Sequence, residues 1–103
     1  MTKLARRRST RSKNLVGFRV ADVHYAVDIL RVREILNPLA VVPIPHAPPA
    51  ILGVADHRGE VVPILDVRTR FGLPPADGTR RTKWVVVDLG ERGVGLRVDA
   101  VTE

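Results

Sequence analysis

Val54-Ala55-Asp56-His57-Arg58-Gly59-Glu60-Val61-Val62-Pro63-Ile64-Leu65-Asp66-Val67-Arg68 sets a charged turn, centred on Arg58-Gly59, between two short apolar runs. Runs of four to eight β-branched and aliphatic residues around a glycine-bearing turn read as two paired strands. Pro63 interrupts the second run. Asp66 closes it ahead of a short helical turn over residues 67–71, which stops at Gly72 before Pro74-Pro75. No side chain here is equipped for bond-making chemistry. A planar guanidinium with five donors on a tight turn is suited to bidentate contact with a carboxylate or a backbone, so the stretch reads as a binding surface.

Working outward, residues 15–20 and 23–27 read as a hairpin about Ala21-Asp22. Asp28 is a candidate N-cap for a helix over residues 29–36, whose apolar positions 29, 32, 35 and 36 follow helical spacing. Asn37-Pro38 ends it. Residues 39–44 read as a strand, and Pro43, Pro45, Pro48 and Pro49 make the next segment an extended connector. Asp77-Gly78 and Arg80-Arg81-Lys83 read as a loop. Residues 84–89 and 94–98 form a second hairpin joined by Gly90-Glu91-Arg92-Gly93. There Val94, Leu96 and Val98 alternate with Gly95, Arg97 and Asp99, which predicts one buried and one wet face. A β run followed by Asp and then apolar and Arg residues occurs at Asp28 and again at Asp66. Capping chemistry used twice and an ancient duplication both account for it. Many short strands and one or two short helices predict a mostly β domain of the small-barrel kind.

The length of 103 residues allows one domain. The net charge of +6 is unevenly placed. Residues 1–14 hold Lys3, Arg6, Arg7, Arg8, Arg11 and Lys13 and no acid, so the other 11 basic residues face 11 acidic ones in an electrically balanced body. Residues 1–14, without apolar periodicity, are expected to be a disordered basic arm, with the folded domain over 15–103. There is no cysteine, which excludes disulfides and thiolate chemistry. No apolar run is long enough to cross a bilayer, and no apolar region follows the arm as in a secretion signal. A cytoplasmic location is expected.

Catalytic groups are sparse. The only serines, Ser9 and Ser12, lie in the arm, away from any rigid scaffold for a nucleophilic triad. His24, His46 and His57 show no metal-ligand spacing. Gly90-x-x-Gly93-x-Gly95 reverses the dinucleotide fingerprint. Neither an enzyme nor a cofactor or metal site is expected.

Four pieces in order carry a resemblance: Tyr25-Ala26-Val27-Asp28-Ile29-Leu30-Arg31-Val32-Arg33-Glu34-Ile35; Ile51-Leu52-Gly53-Val54; Arg58-Gly59-Glu60-Val61-Val62-Pro63-Ile64-Leu65-Asp66-Val67-Arg68; and Val94-Gly95-Leu96-Arg97-Val98-Asp99-Ala100-Val101. Together they resemble the CheW-like domain of bacterial chemotaxis signalling, over Phe18 to Glu103. The resemblance implies two small SH3-like β-barrels sharing a core. It also implies a non-catalytic adaptor that couples the cytoplasmic tips of chemoreceptors (methyl-accepting chemotaxis proteins) to the CheA histidine kinase in membrane-associated arrays. Carried over by position, the binding surface involves Val32 and Glu34 in the helix after the first hairpin, and Arg58 with Gly59 in the turn.

Two departures from the family pattern bear on this. Asp56-His57 stands where the family usually has Asn-Leu, so a titratable side chain replaces an apolar one beside Arg58, and Asp56 is placed to pair with Arg58. The chain also stops at Glu103, where CheW-like domains continue through the rest of the second barrel. The expectation is a truncated domain or one whose open edges are otherwise covered, with self-association through exposed edge strands. A reading from another class, a small β-barrel gripping nucleic acid with its basic arm, predicts affinity that falls steeply with salt. Trp84, Tyr25, Phe18 and Phe71, its candidate stacking groups, fit the core better.

Overall fold

The computed structural model describes residues 5–6 and 14–102. The elements run β1 (Ala5–Arg6), β2 (Leu15–Val20), β3 (Val23–Asp28), a 3-10 turn (Ile29–Arg31), β4 (Val32–Leu36), β5 (Ile51–His57), β6 (Glu60–Asp66), α1 (Val67–Arg70), β7 (Lys83–Leu89), β8 (Arg92–Val98) and β9 (Ala100–Val101). They make two sheets, ordered β1-β3-β2-β9 and β4-β7-β8-β6-β5. Within the expected disordered arm, the backbone of Ala5 and Arg6 pairs with Ala26 and Tyr25 of β3. The rest of that arm, apart from Asn14, lies outside the described residues.

The first hairpin forms as its sequence suggests. Val16, Phe18 and Val20 lie opposite Val27, Tyr25 and Val23 on one face, the cross-strand pairing that stabilises antiparallel sheets. Phe18 stacks on Tyr25 at 5.8 Å, and Tyr25 meets Phe71 at 5.1 Å, which ties the end of α1 to this hairpin.

Residues 29–36 are not a helix. Asp28 does cap, accepting the Leu30 N–H at 2.9 Å, but only three residues turn before the chain extends. β4 then pairs with β7 through Val32–Val87, Glu34–Val86, Ile35–Val85 and Leu36–Trp84. A helix here would have turned Ile29 and Ile35 inward, yet they are 46% and 41% exposed. A long-range ladder with β-branched partners outweighs the local spacing. Residues 39–44 likewise do not form a strand. The prolines leave a single bridge, in which Val42 N–H donates to the Val54 carbonyl at 2.8 Å and Val54 N–H returns the bond at 2.9 Å.

Trp84, Val85, Val86 and Val87 of β7 are all buried. Val85 and Val87 join Val16, Phe18, Val20, Val27, Val67, Leu96 and Val98 in a core between the two sheets. Trp84 and Val86 point the other way and meet Ala55, Val62 and Ile64 inside the second sheet. The wet face expected of β8 is therefore covered. β8 lies between antiparallel β7 and parallel β6, and a Cβ on Gly95 would sit 2.7 Å from Ile64 Cδ1. Arg97, on the same face, approaches the buried Asp66 at 3.6 Å and donates to the Ala76 carbonyl.

Asp99, between β8 and β9, holds three elements at once. It accepts the Ala21 N–H at 2.7 Å and the Arg68 guanidinium at 2.9–3.1 Å, while its own N–H donates to the Arg19 carbonyl. Partial burial pushes its carboxyl up, but the Arg68 and Ala21 hydrogen bonds and nearby Arg68 and Arg19 outweigh this and hold it below the usual range. A carboxyl depressed on folding stabilises above its unfolded value, near 4, and loses that contribution as pH falls through its folded value. Asp99→Asn is expected to cost about 1–3 kcal/mol at neutral pH. The difference from the parent should shrink in urea melts as pH is lowered below about 4.

Gly53 has φ +147°, and a Cβ there would lie 2.2 Å from the Val42 carbonyl oxygen. Backbone, not a flexible side-chain end, fills that space. Gly53→Ala is expected to destabilise by about 2 kcal/mol or more, read as a lowered unfolding midpoint.

Candidate interaction surface

The turn between β5 and β6 is set by Arg58 and Gly59, with φ of +54° and +82°. Positive φ at both central residues matches the right-handed twist of a two-residue hairpin, and the second position is held by glycine. Asp56 caps the turn by accepting the Gly59 N–H at 2.9 Å. The sequence-based expectation that Asp56 pairs with Arg58 is therefore replaced: Asp56 serves the backbone, and Arg58 finds Glu34 instead.

Glu34 sits on β4, not on the wet face of a helix, and its carboxylate is shared. Oε2 lies 2.9 Å from His57 Nε2, and Oε1 lies 3.4 Å from Arg58 Nη2. A carboxylate only accepts, so Nε2 carries a proton in this contact. Glu34 and His57 side chains are 26% and 20% exposed, whereas Arg58 is 78% exposed. The arginine thus touches Glu34 through one terminal guanidinium nitrogen, Nη2, while most of its side chain stays open to solvent.

β4 carries a register shift between Val32 and Glu34. A bulge places an extra residue in one strand, so neighbours that would point to opposite faces can serve the same one. Arg33 and Glu34 accordingly both line a cleft of about 420 Å³, together with His57, Arg58, Glu60, Val62 and Val86. Arg33 spans the cleft wall, donating to Glu60 at 2.7 and 2.9 Å and to Asp88 at 2.8 Å. Those bonds, to Glu60 first and then to Asp88, hold its guanidinium above the ordinary range. A Cβ on Gly93 would lie 2.9 Å from Arg33 Nη1, so glycine lets the side chain lie flat across β8.

Of the residues singled out from sequence, Glu34, Asp56, His57, Arg58 and Gly59 come together at this turn. Val32 does not: it is half-buried and packs on the core between the sheets. Arg33, Glu60 and Asp88 were not anticipated. Glu60 directly follows the turn motif and was within reach of sequence reading. The partnership of Arg33 with Asp88 depends on a bulge and a distant strand that leave no local signal.

A two-sheet β domain displaying a braced arginine turn over a charged cleft is the class that fold and site define. Sequence comparison carries this to a family. The CheW-like domain profile matches residues 14–103, and the chain belongs to that family. It is similar to the chemotaxis protein CheW of Rhizobium meliloti, with 41% identity covering 100% of this chain and 66% of that one. It is also similar to the protein FrzA of Myxococcus xanthus, with 36% identity covering 82% and 52%. Among solved structures, the scaffolding protein TtCheW from Thermoanaerobacter tengcongensis superimposes with a TM-score of 0.82 and 31% identity, over 86% of this chain and 61% of that one. The chain thus spans between half and two thirds of the length of these relatives.

Glu34→Gln tests the tether. Exposed ion pairs contribute about 0–1 kcal/mol, so the fold should survive with a small loss of stability. The Arg58 side-chain resonances should move toward those of a free arginine. A cooperative collapse of the domain would show that Glu34 is structural instead.

Proposed function

We propose that the chain is a non-catalytic scaffolding adaptor in chemotaxis-type signal transduction, coupling the cytoplasmic tip of a chemoreceptor to a CheA-type histidine kinase. The observation that carries this reading is the presentation of Arg58, largely solvent-exposed on a turn of fixed backbone and loosely paired with Glu34, in a chain of the CheW-like family. Relatives named as chemotaxis proteins and a structural neighbour titled a scaffolding protein support it. Glu34, Asp56, His57, Arg58 and Gly59 form the contact surface, and Val32, packed on the core between the sheets, lies apart from it. Such an adaptor works in the cytoplasm, beneath membrane-embedded receptors. None of the helices among the described residues is long and apolar enough to cross a membrane.

The physical logic is pre-organisation. Both central residues of the turn occupy left-handed backbone conformations, and Asp56 fixes the turn by its bond to Gly59. A partner carboxylate therefore meets a guanidinium whose base is already placed, which lowers the ordering cost of binding. The outer edge of β4, at one end of the second sheet, gives the same surface a neighbouring backbone for strand pairing with a partner or a second copy of the chain, whereas the outer edge of β5 is taken up at Val54 by Val42.

The test is retention by an immobilised CheA-type regulatory domain and by a receptor signalling tip, at moderate salt. The parent should be retained, and Arg58→Glu, which also sets two carboxylates against each other at Glu34, should be lost from both. Arg58→Ala should weaken binding less. Undiminished retention of the charge-reversed variant would sink the assignment of the turn as the contact surface.

A further inference from the structure

The contact between Glu34 and His57 depends on a proton, and the groups around it decide what that proton does. His57 faces Glu34 and Arg33 from β4, Glu60 across the ladder from β6, and Asp56 and Arg58 within its own turn; Asp88 of β7 reaches the cleft through Arg33. Glu60 and Asp88 are both engaged by Arg33. Asp56 is engaged by the Gly59 N–H. The cleft floor of Val62 and Val86 is apolar and brings no charge. Glu34 is therefore the carboxylate left to answer a charge on His57, and it is the same carboxylate that tethers Arg58.

We propose that His57 is a positioning residue for the partner surface: when protonated it takes over the charge of Glu34 and releases Arg58 for an acidic group of the partner. With a neutral imidazole donating through Nε2, Glu34 keeps its full negative charge, and Arg58 at 3.4 Å is held against it. With an imidazolium at 2.9 Å, half-buried and closer than Arg58, that charge is cancelled within the pair. The highly exposed guanidinium then has less reason to stay folded back and more to offer a carboxylate from outside. Histidine is the side chain whose charge ordinarily changes between about pH 5 and pH 8, so pH is the variable that tests the exchange. The sign follows: binding through Arg58 strengthens as pH falls. This consequence rests on the adaptor reading, whereas the exchange within the triad does not.

Two measurements separate them. In the chain alone, nuclear magnetic resonance should show the Arg58 Nε–H signal shifting with the same midpoint as the His57 ring protons. The shift should be absent in His57→Gln, which keeps a donor but cannot titrate. An Arg58 signal that stays flat while His57 titrates overturns the proposal, whatever the partner does. In calorimetry with the CheA-type regulatory domain, parent affinity should rise roughly two- to fivefold between about pH 8 and about pH 6, the range of one exposed ion pair. His57→Gln should show no such rise, and an equal rise in that variant overturns the coupling to binding. Absence of binding by either protein, with Arg58 still following His57, supports the exchange and sinks the adaptor reading.

Discussion

The architecture depends on one strand being buried on both faces. In β7, Trp84 and Val86 serve the interior of the second sheet while Val85 and Val87 serve the core against the first. Such a strand cannot alternate apolar and polar residues, and its run of four consecutive large apolar residues is the signature of double burial. Because both cores share its backbone, the two sheets cannot shift independently. The cleft inherits that rigidity, since Val86 supplies part of its floor and Asp88, two residues on, anchors Arg33.

The hairpins, the Arg58-Gly59 turn and the short helix after Asp66 were legible in sequence because each is decided within about ten residues. Turn residues and alternation act locally, and so does the Thr69 hydroxyl that donates back to Asp66 across the short helix; local chemistry is what a sequence displays. The stretch Val32–Leu36 was not legible, because its apolar positions fit a helix and its β-branched content fits a strand equally well. The choice was made by β7, some fifty residues away. The covering of β8 was hidden for the same reason: a glycine on the supposedly wet face, Gly95, marks close approach of Ile64. Small residues on an exposed face deserve that reading as readily as a turn.

The candidate site was half visible. Motif position pointed to Glu34 and Arg58, but their contact across two strands follows from the β4 ladder, which sequence reading had made a helix. Asp56 shows the converse error. Adjacent opposite charges suggest pairing, yet a backbone N–H three residues on is held in place by the turn, whereas Arg58 must be drawn in from solvent at an entropic cost. The fixed donor wins the carboxylate, and Arg58 is left for a partner on another strand.

The balanced charge of the body has a structural basis that its sum conceals. Arg68 with Asp99 and Arg97 with Asp66 are partly buried pairs that join elements, and Arg33 with Glu60 and Asp88 stiffens the cleft wall. These arginines are committed to the fold; for Arg68 and Arg97, whose partners Asp99 and Asp66 are mostly or fully buried, breaking the pair costs more than its formation contributes, because a desolvated charge is left behind. Arg58 is different in kind. Its partner is shared, its contact is the longest in the cleft, and its side chain is the most exposed of the paired arginines. A charge on a binding surface has to be held loosely enough to be exchanged. Among the ion-paired arginines of the described residues, Arg58 is the most exposed, which supports the proposed placing of a partner contact at this turn and not along the more heavily charged wall beside it.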